Sequence, residues 1–301
     1  MIHFKSTKIL IPIDFSETSL LAIQHGAFVA QFTKGDVYLL HVINSNYTRQ
    51  NLFLPVLQLN DTLEFEKKVE NKLNELANDI RSEYGVNVEC IIKTGVPAAE
   101  VVETIDEIEA SLVVMGTHGY SPLEELVIGS NALRVITKAN CQVMTMSKGA
   151  DHKGYNKILI PIDDSAHSRQ KVVYAIELAQ QFGAHLYAVA LLGPEDESHT
   201  PQMELILHQI EKLAKEKGVI CTSELLKGLK NRATATVKYS EKIGADLMVI
   251  MSDQDAELSG FFLGPYAQQV IHLSKIPVIT VKPEEHPENI NFTILSGTSG
   301  I

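Results

Sequence analysis

The chain has 301 residues, a formal net charge of −11, 45% hydrophobic residues, 6% aromatics and no Trp. An acidic chain repels polyanions at long range, and its Lys and Arg residues form no run, so nucleic acid and anionic membranes are excluded as partners. Cys90, Cys141 and Cys221 show no metal-ligand or disulfide spacing and no apolar stretch reaches membrane-spanning length, so a reducing cytoplasm is the expected location.

In chain order, Ile9–Ile13 is an apolar run broken only by Pro12, as in a strand buried on both faces. Asp14 and Ser16 offer cap oxygens to a helix carrying Leu20, Leu21, Ala27, Phe28 and Phe32, which Gly35 is expected to end. Val37–Ile43 reads as the second strand. Residues 44–60 read as a longer loop whose apolar patch, NLFLPVLQL, suits a lid or packing surface. Asp61 with Glu64 has the form of a capping box for a charged helix reaching Tyr84. Val86–Ile92 is the expected third strand, and Pro97 suits the first turn of a helix through Ile108. Leu112–Met115 is the fourth strand, a loop and helix run from Gly116 to Thr137, and Gln142–Met146 is the fifth strand. The second half repeats the order, with strands near 158–162, 185–191, 219–226, 246–251 and 277–281.

The halves are copies. KILIPID stands at 8–14 and again at 157–163, an offset of 149, and the following helix and strand continue in that register. The join, SKGADHKGYN (147–156), is short and polar, which suits domains that pack together. The expected domains are 1–148 and 155–283, with a polar tail over 284–301. Strand–helix alternation implies a parallel sheet with right-handed crossovers and helices on both faces. Ligands then lie beyond the carboxyl ends of the strands, where the strand order reverses. For Asp14 and the Gly116 loop to face one ligand, strands one and four must be neighbours.

Chemistry concentrates in MGTHGYSPLEELVIGSNA (115–132). Gly116 and Gly119 are expected to take positive φ and let the backbone approach a ligand. Gly129-Ser130-Asn131 then opens a helix with an apolar face of Ala132, Val135 and Ile136, and a helix start presents unpaired N–H groups to an anion.

With these residues in view, the chain resembles the universal stress protein family, in a tandem two-domain form. The family's ATP signature, G-x2-G-x9-G-[ST] after strand four, matches Gly116, Gly119, Gly129 and Ser130, and its Asp after strand one matches Asp14. The resemblance implies two Rossmann-like domains of the adenine nucleotide alpha hydrolase kind, each a five-stranded parallel sheet in the order 3-2-1-4-5. It implies ATP as cofactor, with Mg²⁺ left open. It places Asp14 at the ribose or adenine edge, the Val42 backbone at adenine, and Met115, Gly116, Gly119, Gly129, Ser130 and Asn131 at the ribose and phosphates. Pro12 and Thr117 complete the contact set, and His118 is a further candidate phosphate donor. No metal ligand or catalytic residue is assigned.

In the second copy, Met251-Ser252-Asp253-Gln254-Asp255 is set against Met115-Gly-Thr-His-Gly. On that alignment both glycines are lost and the loop is one residue shorter. Gly264 remains but Pro265 follows it and removes a donor, so no ATP is expected there and Asp163 reads as a structural cap. There is no Walker A: Gly149 and Gly154 are spaced for one, but Tyr155 and Asn156 follow. There is no HExxH pair. The expected function is ATP-linked sensing or signalling in stress response. Slow ATP hydrolysis in the first copy, with Asp14 and His118 the available groups, is one alternative. A non-nucleotide interaction module is another. Expected partners are an adenine nucleotide, the two copies pairing within the chain, and a second chain in a homodimer.

Overall fold

The computed structural model describes residues 4, 7–44, 59–118, 128–150, 154–163, 166–252 and 263–282. The chain divides into two compact units, one built on Lys5–Lys153 with Ser274–Thr280 and the other on Gly154–Leu273 with Phe4 and Val281.

The first unit runs β1 (Lys8–Pro12), α1 (Glu17–Thr33), β2 (Asp36–Asn44), α2 (Leu59–Tyr84), β3 (Val88–Gly95), α3 (Pro97–Ile108), β4 (Leu112–Gly116), α4 (Ser130–Lys138) and β5 (Gln142–Met146). Its strands lie in the order β3-β2-β1-β4-β5, all parallel. Ile9, Leu10, Ile11, Leu112, Val113 and Val114 are fully buried, as expected for central strands covered on both faces. Helix α1 packs on α2, and α3 on α4, so helices cover both faces of the sheet. The β1–β4 pairing, Ile9 opposite Leu112 and Leu10 opposite Val113, is the neighbour relation that the ligand argument required.

Helix α1 begins at Ser16, whose hydroxyl accepts from the Ser19 amide, and ends at Lys34, which takes the left-handed cap (φ 54°) that the sequence suggested for Gly35. Gly35 instead donates its amide to the Ala30 carbonyl at 2.9 Å. Helix α2 begins at Leu59, so Asp61 lies inside it and not at a cap, and Glu64 pairs with Lys68. Strand β3 runs later than expected because it follows the length of β2, with Val88 opposite Val37 and Gly95 opposite Asn44. Of the apolar patch NLFLPVLQL, residues 51–58 lie outside the described residues and Leu59 opens α2.

The second unit has β6 (Lys157–Ile162), α5 (Ala166–Phe182), β7 (His185–Leu191), a 3₁₀ turn (Pro194–His199), α6 (Thr200–Glu216), β8 (Cys221–Leu226), α7 (Arg232–Ile243), β9 (Leu247–Met251) and α8 (Pro265–Leu273). Its strands lie in the order β8-β7-β6-β9, also parallel, with Ile158 opposite Leu247. Strand β10 (Val278–Val281) carries the fifth apolar run; its residues Val278–Thr280 group with the first unit, antiparallel to β5.

Candidate functional site

Two chain turns meet at the carboxyl end of the first unit's sheet. After β1, Asp14 stands exposed, and its Oδ1 accepts from the Ser16 amide at 2.9 Å and the Ser16 hydroxyl at 2.5 Å. Between them, Phe15 holds φ at 65°, a left-handed conformation that costs a bulky residue energy. Its ring lies 5.0 Å from that of His41, whose Nδ1 donates to the Ile13 carbonyl at 2.7 Å. Pro12 ends β1 opposite Leu40, and Val42 sits half-buried on β2 opposite Lys93.

After β4, the Thr117 amide and hydroxyl both donate to the Met146 carbonyl, at 2.8 and 3.1 Å. With its single proton so used, Thr117 Oγ1 accepts from His118 Nδ1 at 2.7 Å. Thr117 is thus buried and turned into the protein, holding the strand end in place. Met115 is buried beneath it. The hydroxyl of Thr18, on the first turn of α1, donates to the His118 carbonyl and so ties the two turns together.

Gly116 is the last residue of β4 and is not among the residues of positive φ. The expectation of a left-handed turn there is corrected: the position needs glycine for space. A Cβ would lie 2.7 Å from Thr18 Cβ and 3.1 Å from the Thr18 carbonyl carbon. Gly119 lies outside the described residues. Gly129 is the cap residue of α4, with its amide on the Thr117 carbonyl at 2.9 Å. Ala132, Val135 and Ile136 form the buried face of that helix, as expected. The first intrahelical bond at this end runs from the Leu133 amide to the Gly129 carbonyl, so the amides of Ser130, Asn131 and Ala132 have no acceptor within the helix. Ser130 and Asn131 are exposed. The arrangement places free N–H donors, the Ser130 hydroxyl and the Asp14 carboxylate on segments that leave the carboxyl ends of neighbouring strands, a chemistry suited to a phosphorylated ligand.

The second unit repeats this frame with different residues. The Ser252 amide donates to Val281, the Gly264 amide to Ser252, and the Gln268 amide to Gly264, matching Thr117, Gly129 and Leu133. Leu247 pairs with β6 as Leu112 pairs with β1. The offset is therefore 135 from Leu112–Leu247 through Gly129–Gly264, and the loops have equal length. This corrects the sequence alignment by one residue. Met251, fully buried, stands in the place of Gly116, and Gln254 in the place of Gly119. Pro265 opens α8 where Ser130 opens α4. Asp253, Gln254 and Asp255 lie outside the described residues. The Asp163 amide donates to Ser168 Oγ at 3.1 Å.

Sequence reasoning did not single out Thr18, Ser16 as the holder of Asp14, or the Phe15–His41 pair. In the correct register the repeats exchange Thr18 for His167 and Gly116 for Met251 together, and that joint exchange is the signal that pointed to Thr18.

These features define a tandem α/β protein in which the two parallel sheets carry the same strand-end and helix-start frame at the switch point. The chain belongs to the universal stress protein family: the Universal stress protein family model matches residues 5–146 and 154–282. Universal stress protein MJ0577 of Methanocaldococcus jannaschii is 35% identical over 153 residues, covering 47% of this chain and 94% of that protein. Universal stress protein Mb2028c of Mycobacterium bovis is 23% identical over 227 residues, 70% of this chain and 74% of its own. A crystal structure of a universal stress protein from Archaeoglobus fulgidus shares the fold with a TM-score of 0.71, at 21% identity over 94% of this chain and 98% of that one. Among the described residues no helix is long and apolar enough to cross a membrane.

Proposed function

We propose that the first repeat binds an adenine nucleotide, ATP, and that the chain acts in stress response by sensing or signalling through that ligand. The observation that carries the reading is the start of α4. Three amides without intrahelical acceptors stand there beside a β4 end that must be glycine, next to the turn bearing Asp14. Family membership supports the same reading. Asp14 takes a ribose hydroxyl, the Val42 backbone the adenine edge, and Ser130 and Asn131 the phosphates. The second repeat takes no ATP, since Met251 fills the Gly116 position and Pro265 removes a donor. We also assign the protein to the cytoplasm and expect its two repeats to pair within the chain.

The test is direct. The purified protein is denatured and the supernatant is chromatographed for nucleotides. Released ATP supports binding without turnover. Released ADP or AMP supports binding with slow hydrolysis. No nucleotide, together with no thermal shift on adding ATP, overturns the reading.

A further inference from the structure

The second unit has an open cleft of about 400 Å³ where Met251, Ser252, Gly264 and Pro265, the counterparts of Gly116, Thr117, Gly129 and Ser130, are joined in the wall by Lys230 and Arg232. That volume is in the range of small-molecule sites, roughly 300–1,000 Å³. We infer that this cleft is a site for a compact oxyanion, a single carboxylate or phosphate group, distinct in chemistry from the frame in the first repeat.

Three observations converge on it. The first is substitution between repeats at equivalent helix openings. Gly95-Val96-Pro97 opens α3 with no polar side chain, whereas Lys230-Asn231-Arg232 opens α7. The repeat that lost backbone donors at α8 thus carries two cations facing the same cleft. The second is donor supply. Asn231 Oδ1 takes the Thr234 amide at 2.8 Å, which leaves the amides of Arg232 and Ala233 without an acceptor inside α7. The amides of Tyr266 and Ala267 are in the same position inside α8, where the first bond runs from Gln268. All four residues line the cleft.

The third is how the charges are spent. Arg232 pairs with Asp196, whose carboxyl is held below its ordinary range first by the Gly193 amide. Glu195 also lines the wall. Among the described residues Lys230 has no ion pair, so it is the cation left for a ligand. Two cations against Glu195 and Asp196 leave no surplus side-chain charge, so the free amides of α7 and α8 supply the net attraction. A site of this balance holds one anionic group and rejects a polyphosphate.

The experiment titrates the full chain with inorganic phosphate and, separately, with acetate, at ionic strength held constant with sodium chloride. Amide chemical shifts are the readout. Three proteins are compared: the natural sequence, Lys230→Gln, whose exposed side chain makes no packing contribution, and Ser130→Glu, which disables the first-repeat frame. The expected result is saturable shifts at Ala233, Tyr266 and Ala267 with one or both probes, weakened about tenfold in Lys230→Gln and unchanged in Ser130→Glu. Saturation by phosphate alone or acetate alone identifies which oxyanion fits. Absence of saturation, indifference to Lys230→Gln, or loss in Ser130→Glu overturns the inference. Because the Ser130→Glu protein carries the decisive arm, a failure of the ATP reading leaves this result standing.

Discussion

Thr18 occupies the space that a side chain on Gly116 would need. Its Cβ lies 2.7 Å from where a Gly116 Cβ would stand, and its hydroxyl donates to the carbonyl of His118, two residues further on. One residue thereby fixes both the identity of the strand end and the path of the segment after it. The neighbouring clash is with the body of Thr18 and its backbone, so it is not relieved by a rotamer change.

Gly116→Ala is therefore expected to lower the stability of the first unit by about 1–3 kcal/mol through overpacking. Thr18→Ala keeps the Cβ that makes the clash, so the change that returns the space is Thr18→Gly, and Gly116→Ala costs less in the Thr18→Gly protein than in the natural one. Urea unfolding of the four proteins gives the coupling energy. Strict additivity would show that the two residues do not share this space.

In the second unit the counterpart of Ala22 is Lys171, fully buried, with Nζ on Ser168 Oγ at 2.8 Å and on the Ser168 carbonyl at 3.2 Å. Burial pulls its ammonium down from 10.5 to about 8, against the opposing pull of Asp163. Between those values the unfolded chain binds more protons than the folded one, so this group makes stability rise with pH from about 8 to 10.5. The shift corresponds to about 3 kcal/mol over that window. Lys171→Met is expected to flatten the rise, which denaturant midpoints at pH 8 and 10 measure as a difference between the two proteins. Equal slopes would remove Lys171 as the cause.

Burial, with Glu211 adding to it, pushes the Cys221 thiol up to about 12. Very little thiolate exists near neutral pH, so alkylation is slow in the folded chain. Iodoacetamide labelling at pH 7.5, read by peptide mass, should modify Cys221 far faster in urea than in buffer. Similar rates would contradict the assigned environment.

Much of this was legible in the sequence. The repeated KILIPID announced two copies, and the buried runs at 9–13 and 112–115 gave the central strands their places. The face of α4 read correctly because Ala132, Val135 and Ile136 recur at helical spacing. What failed to read depends on long-range packing. Gly116 looked like a turn residue because the sequence does not reveal that Thr18, 98 positions earlier, lies against it. The repeat alignment slipped by one because Met115 and Met251 are identical residues at different strand positions; backbone bonds at Thr117 and Ser252 set the true register. Lys34 took the left-handed cap in place of Gly35 because α1 ends one residue sooner. The cleft of the second unit was legible only in part: Met251, Ser252, Gly264 and Pro265 stand at the motif positions of the first repeat, whereas Glu195 and Lys230–Ala233 come from segments that no motif marks.

The central claim is one nucleotide per chain, held at the start of α4. Ser130→Glu separates that claim from any effect on folding. A carboxylate in the first turn of a helix favours the dipole by about 0.3–1 kcal/mol, yet it repels a phosphate placed at the same amides. Calorimetric titration of the full chain with ATP should give a stoichiometry near one for the natural sequence, and at least about tenfold weaker binding for Ser130→Glu at unchanged or raised stability. Two sites per chain, or ATP binding that Ser130→Glu leaves intact, would contradict it.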